Sequence, residues 1–280
     1  MGKAIARKFL KKGYEVLGWN RTRKKAEELV TEGLIILDSP AAIGEQADII
    51  FLAVADSPAV EAVLFSKNGL LKSLKEGTIV INISTIMPGD AIRFHKAIKE
   101  RDAYYIDCPV LGSPRDIERG KLIILFGGDQ NLLSKVRSLL EDLGEKIFYM
   151  GDVGKASAMK LIFNMVSPSL VILLGEAINM GIKAGLDVDK VVEVLLEGPL
   201  RSAIERYYNK IMNPNPPVTF TLRLMVKDLE YANRFAYELG MPLFIPAIVK
   251  NIYSIALANG FGDEYHARVY KVLKRISGLE

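Results

Sequence analysis

Lys160 and Asn164 stand four residues apart in Gly154-Lys155-Ala156-Ser157-Ala158-Met159-Lys160-Leu161-Ile162-Phe163-Asn164, where small residues open a helix. That spacing puts an amine and an amide on one helix face. A lysine that is partly desolvated, or set beside another cation, gives up its proton readily and can serve as a general acid or base near neutral pH. Asn164 can hold a hydroxyl or carboxylate next to it. Read alone, the plainer account of this lysine is a helix charge that snorkels to water. Metal chemistry finds no support, because His95 and His266 are the only histidines, lie far apart and have no helical partners. Cys108 is the only cysteine, which excludes an intrachain disulfide or a thiolate metal cage and fits a reducing, cytoplasmic setting. It reads as a buried small residue rather than a reactive thiol.

The elements that must position these residues fall into two halves. Half of the 280 residues are hydrophobic, and the chain is long enough for two domains. Short apolar runs predict strands at 14–19, 34–37, 49–54, 78–83, 104–107 and 122–126, and amphipathic stretches between them predict helices at 1–10, 23–32, 57–65, 89–101 and 131–143. Several runs lack polar alternation, the mark of strands covered on both faces, so this half is expected to be a doubly wound, mostly parallel α/β sheet of Rossmann type. After Gly154 the strand pattern stops. Helices are predicted at 156–184, 188–196, 222–239 and 245–259, with Gly198-Pro199 and Asn213-Pro214-Asn215-Pro216-Pro217 as breakers. The expected division is a nucleotide-binding domain over 1–152 and an all-α domain over 153–280, entered by a long helix that Pro168 should bend.

Lysine plus arginine exceeds aspartate plus glutamate by only 37 − 33 = 4, too little to imply a nucleic-acid partner. The local cluster Lys3, Arg7, Lys8, Lys11 and Lys12 could belong to a transit peptide or a membrane-surface helix. Ile5, Phe9 and Leu10 form an apolar stripe opposite those charges, which favours an ordinary surface helix. The densest apolar run, Leu170-Val171-Ile172-Leu173-Leu174, is far shorter than the ~18 residues of a membrane span, so no membrane partner is expected.

Four motifs in order give the chain a resemblance to the β-hydroxyacid dehydrogenase family, the group of 3-hydroxyisobutyrate dehydrogenase, tartronate semialdehyde reductase and glyoxylate/succinic semialdehyde reductase. The stretch Gly154 to Asn164 resembles the family's catalytic helix, with Ala156 where a glycine is usual; this implies Lys160 as proton donor and acceptor with Asn164 beside it. Asp107-Cys108-Pro109-Val110-Leu111-Gly112-Ser113 is similar to the substrate loop, implying that Leu111, Gly112 and Ser113 bind the substrate carboxylate partly through backbone N–H groups. Leu111 stands where the family has serine. Asn82-Ile83-Ser84-Thr85 resembles the segment along the nicotinamide ribose, which points to Ser84 for substrate and Thr85 for cofactor; helix capping is an alternative use of both hydroxyls. Lys227-Asp228-Leu229 matches a motif whose lysine reaches the cofactor, and Val54-Ala55 occupies the place of a Leu-Pro beside the adenosine.

The ends of the nucleotide unit decide the cofactor expectation. A nucleotide fold begins with a strand and a Gly-x-Gly-x-x-Gly turn whose N–H groups meet the pyrophosphate. Gly2 matches only the last of those glycines, so a preceding strand and most of the loop are expected to be missing, with a gap and unpaired edges in the sheet. Asn20-Arg21-Thr22 replaces the acidic residue that selects NAD, and its guanidinium fork suits a 2′-phosphate. NADP(H) is therefore expected over NAD(H). The expectation is an NADP(H)-dependent reductase of a small aldehyde acid, with glyoxylate and succinic semialdehyde as candidate substrates, assembled as a homodimer or homotetramer. Two alternatives stay open: 3-hydroxyisobutyrate dehydrogenase, and a non-catalytic nucleotide-sensing or oligomerisation protein.

Overall fold

The computed structural model describes residues 1–279. By internal contacts the chain divides into two units, Met1–Lys160 and Leu161–Glu280. The first contains α1 (Gly2–Lys11), β1 (Leu17–Gly18), α2 (Lys24–Glu27), β2 (Ile35–Ile36), α3 (Pro40–Gly44), β3 (Ile49–Leu52), α4 (Ser57–Phe65) and β4 (Ile79–Asn82). It continues with α5 (Pro88–Lys99), β5 (Tyr104–Asp107), β6 (Val110–Leu111), α6 (Pro114–Glu118), β7 (Leu122–Gly127), α7 (Asn131–Leu143) and β8 (Gly144–Gly151).

Alternation along the strands explains the layers. On β4, Ile79 and Ile81 point to a core shared with Ile5 and Phe9 of α1, Ile117 of α6 and Val136 and Leu140 of α7. Val80, between them, points to the opposite core with Val60 and Leu64 of α4 and Phe94 and Ile98 of α5. Both sheet faces are covered, as the uninterrupted apolar runs require. Strands β3, β4 and β5 pair in parallel, β7 joins β5 and β6 antiparallel, and β8 pairs in parallel with β7. β1 and β2 form a separate parallel pair, so the sheet is divided and β1 and β3 each keep one side without a strand partner among the described residues. The basic face of α1 is paired: Lys3 with Glu28 at 2.7 Å, Arg7 with Glu32 at 2.7 Å and Lys12 with Asp142 at 2.6 Å. These are surface pairs, so each contributes little.

Several expectations change in detail. The helix predicted over 23–32 is broken into α2 and a 3-10 turn at Val30–Glu32, closed by Gly33 at φ 106°. Strand β8 went unpredicted because its polar start, Glu145-Lys146, and its exposed Phe148 and Tyr149 give it no buried face to signal. The boundary expected at 152/153 contrasts with the division after Lys160, because the opening of the next helix packs on strand residues. The methyl of Ala156 lies against Gly127 of β7, where a Cβ would sit 3.1 Å from it. Ala156 thus takes the place of the family glycine without crowding.

The helical part consists of α8 (Lys155–Lys183), α9 (Val188–Leu196), α10 (Arg201–Met212), α11 (Leu222–Glu238), α12 (Ile245–Ala258) and α13 (Val269–Ile276). α8 runs unbroken through Pro168. Contrary to the sequence expectation, α8 is long and apolar enough to cross a membrane, with a mean hydropathy of 1.8 over its best 18-residue window. The run count missed this because interspersed Ser, Gly and Asn interrupt it without lowering the average enough. Core packing uses part of this apolar surface: Val171, Ile172, Leu174 and Ile178 are buried in the core shared with α10, α11 and α13, while Leu173 and Met180 are exposed.

At the centre of this core sits His266, 4 % exposed, with Nδ1 3.2 Å from the Tyr253 hydroxyl and its ring 4.6 Å from that of Tyr265. Burial, aided by Lys210 and Arg206, pushes its pKa down from 6.5 to about 3. The unfolded chain therefore binds a proton below pH 6.5 that the folded chain refuses until about pH 3. Stability must fall as pH falls through that window, by up to about 1.4 kcal/mol per pH unit from this group. Urea titrations of His266→Phe across the window should show a shallower pH slope than the parent. An unchanged slope would count against a neutral buried imidazole.

Candidate active site

The opening turn of α8 is held from outside the helix. Gly154, at φ 93°, precedes it and has no side chain to cap the free N–H groups there. Asp107, at the end of β5 and fully buried, does so instead. Its Oδ2 accepts from the N–H of Gly154 at 3.0 Å and of Ser157 at 2.9 Å, and its Oδ1 from the Ser157 hydroxyl at 2.6 Å. Burial pushes the Asp107 carboxyl up to about 6, with the Ser157 and Gly154 donors pulling the other way. One turn further on, Lys160 Nζ donates to the Val110 carbonyl at 2.8 Å. The amine is thus delivered to the segment expected to bind substrate.

That segment is not wholly a loop. Val110 and Leu111 form β6, paired with Ile124 and Ile123 of β7. Gly112 follows at φ 137°, where an added Cβ would sit 2.6 Å from Leu122 Cδ2 and 3.3 Å from Asp116 Oδ2. Ser113 then caps α6, and both its N–H and its hydroxyl donate to Asp116 Oδ2 at 2.7 Å. The donors that Ser113 is expected to offer a substrate carboxylate are thus held here by a carboxylate of the chain itself. Cys108 is fully buried, and burial pushes its thiol well above the usual range.

Gly2, Val54 and Ser84 come together at the end of β3. A Cβ on Gly2 would meet that of Ala53 at 3.1 Å, so the glycine permits the close approach of α1 to this strand end. Ser84 accepts from the Val54 N–H at 3.0 Å and donates to the Leu52 carbonyl at 3.2 Å. It is 3 % exposed, and its hydroxyl braces the end of β3 against the segment after β4. Asn82, where the family has aspartate, continues the network: its Oδ1 accepts from the Ser84 N–H at 3.1 Å and its Nδ2 donates to the Tyr105 hydroxyl at 2.9 Å. Ala55 is exposed and Thr85 half-buried.

Asn20, Arg21 and Thr22 are exposed just beyond β1, and Asn20 Nδ2 fixes their turn by donating to the Thr22 carbonyl at 2.8 Å. Neighbouring cations are engaged, Arg23 with Asp38 at 2.7 Å and Arg7 with Glu28 and Glu32. Among the described residues no carboxylate pairs with Arg21. Its guanidinium, together with Thr22, is a donor set that fits a phosphate.

In the helical unit, Asn164 is buried and donates through Nδ2 to Asp228 Oδ2 at 2.5 Å. Asp228 Oδ1 lies 2.7 Å from Lys227 Nζ, which also sits 5.1 Å from the centre of the Tyr231 ring. Asp228 therefore links the two side chains singled out on α8 and α11. Neither its contact with Asn164 nor those of Asp107 with Gly154 and Ser157 were readable in advance, since these partners are far apart in sequence.

Two family models match the chain, one described as the NAD binding domain of 6-phosphogluconate dehydrogenase over residues 1–151 and one as NAD-binding of NADP-dependent 3-hydroxyisobutyrate dehydrogenase over residues 154–273. Arabidopsis thaliana chloroplastic glyoxylate/succinic semialdehyde reductase 2 is 31 % identical over 281 residues, covering 100 % of this chain and 78 % of that protein. Glyoxylate/succinic semialdehyde reductase 1 of the same plant is 30 % identical, covering 98 % and 95 %. The structure of Psf3 in complex with NADP+ and 2-OPP superposes with a TM-score of 0.84 at 26 % identity, covering 98 % of this chain and 96 % of that one. The chain belongs to the β-hydroxyacid dehydrogenase family, a class of NAD(P)-dependent oxidoreductases.

Proposed function

We propose that the chain is an NADP(H)-preferring reductase of small aldehyde acids of the glyoxylate or succinic semialdehyde kind, reversible as a hydroxyacid dehydrogenase, with Lys160 as acid and base. The observation that carries this reading is the 2.8 Å contact of Lys160 Nζ with Val110, immediately before the Leu111-Gly112-Ser113 turn. The names of the two Arabidopsis thaliana relatives support the substrate class. A bound nicotinamide dinucleotide supplies or takes up the hydride. As the carbonyl carbon gains hydride, the electron pair of its broken π bond moves to oxygen, and the Lys160 ammonium protonates that oxygen. In the opposite direction the neutral amine takes the hydroxyl proton. Asn164 is assigned to the same oxygen or its neighbour, Gly112 to the substrate carboxylate, and Gly2, Asn20, Val54, Ala55, Thr85 and Lys227 to the cofactor.

Arg21 and Thr22 are assigned to the 2′-phosphate. Removing a charge-assisted bond of this kind in Arg21→Ala should raise the KM for NADPH by about 10–100-fold and leave that for NADH nearly unchanged. Steady-state rates with glyoxylate, succinic semialdehyde and 3-hydroxyisobutyrate, each with both cofactors, test the whole reading. Faster turnover of 3-hydroxyisobutyrate would favour the second family activity, equal rates with NADH would overturn the cofactor assignment, and no turnover of any would overturn the substrate class. We also propose action in the cytoplasm as a homodimer or homotetramer; strongly exposed Val194, Tyr237 and Phe244 in the helical unit support an assembly, and the native mass decides it.

A further inference from the structure

A carboxylate with no solvent access is costly to keep charged, and β5 carries one that no step of the reaction uses. The Asp107 carboxylate reaches the first turn of α8, where three donors converge on its two oxygens. Three residues later the same segment supplies the Val110 carbonyl that receives the Lys160 amine. Between these two contacts lie fewer than two turns of helix, from Gly154 to Lys160. Without such a grip, a one-residue shift of α8 would move Lys160 by ~1.5 Å along the axis and turn it by ~100°. Apolar packing alone resists that shift poorly here, since the facing pair is Gly127 and Ala156, two small residues.

We propose that Asp107 is the positioning residue for Lys160: its carboxylate caps and locks the first turn of α8, fixing the axial and rotational register in which the amine meets the reacting oxygen. The inference rests on Lys160 as the acid and base. Charge matters as well as shape, because an asparagine keeps one neutral acceptor oxygen for the two backbone N–H groups and offers the Ser157 hydroxyl a donor in place of a charged acceptor. The positive end of the helix dipole also favours a carboxylate at this point.

Asp107→Asn in the full chain should lower kcat on the order of 10²-fold, as an angstrom-scale misplacement does, while NADPH affinity measured by fluorescence titration stays within a few-fold. In the cofactor-free protein, amide hydrogen exchange over 154–160 should speed up at least tenfold while the α11 amides are unaffected. The double variant Asp107→Asn with Lys160→Ala should be no slower than Lys160→Ala alone, because a mispositioned amine cannot be lost twice. Should Asp107→Asn fail to fold, Ser157→Ala removes one of the three donors and should show the same changes at smaller size. Unchanged kcat in the folded variant, unchanged exchange over 154–160, or a full additive loss in the double variant would each overturn the proposal. High residual activity in Lys160→Ala alone would instead overturn the assignment of Lys160.

Discussion

Lys160→Ala should lose about 10²–10⁴-fold in kcat, the usual contribution of one positioned general acid or base, while binding NADPH with nearly parental affinity. The size follows from where the amine is held. The Lys160 amine donates to a backbone carbonyl next to the substrate turn, so truncation removes a proton donor from that place. The affected quantity should therefore be kcat. Lys160→Arg should be nearly as damaged, because a guanidinium keeps the charge yet does not release a proton near neutral pH. Stopped-flow NADPH oxidation with saturating substrate separates this from slow product release. A variant with parental kcat would remove the amine from the mechanism.

Asp228→Ala should be the most destabilising single change in the helical unit, by about 3–5 kcal/mol, the cost of breaking a buried ion pair from one side. Asp228 is fully buried, and its two oxygens serve Asn164 at 2.5 Å and Lys227 at 2.7 Å. Truncation leaves a largely buried ammonium without its counter-charge and an amide donor without its acceptor. Asp228→Asn, which retains one acceptor, should lose less. Urea unfolding monitored by circular dichroism measures both. Activity should fall along with stability in Asp228→Ala, since Asn164 and Lys227 lose the group that orients them. A loss below about 1 kcal/mol would mean that water or another group compensates the pair.

The sequence carried the layers and the motif around Lys160 more readily than the contacts that hold that lysine. Helices α4, α7 and α9 and strand β5 occupy the residues their apolar spacing predicts. α10 and α13 went unassigned although Ile204, Tyr207 and Ile211, and Val269, Val272 and Leu273, repeat at helical spacing. β6 and α6 are too short for any period to register, and β8 lacks a buried face. The site divides in the same way. Lys160 and Asn164 were picked out through the family resemblance of the stretch from Gly154 to Asn164, since a four-residue spacing on one helix fits an ordinary surface charge as well. The donors of Asp107 lie up to 50 residues away and the partner of Asn164 lies 64 away, so local pattern holds no trace of either. Ser84 and Ser113 were assigned from the resemblance of their motifs, which says nothing of the local bonds their hydroxyls make to Leu52 and Asp116.

Chemical rescue of Lys160→Ala tests the central claim most directly. Small primary amines of graded basicity are added to the variant with NADPH and succinic semialdehyde, and the rate of NADPH oxidation is followed. If the Lys160 ammonium delivers the proton, oxidation should rise with amine concentration and depend on the amine's basicity, while quaternary ammonium salts, which carry no N–H proton, give no rise at equal ionic strength. A Lys160→Ala enzyme that already turns over at the parental rate, with amines adding nothing, would contradict the account.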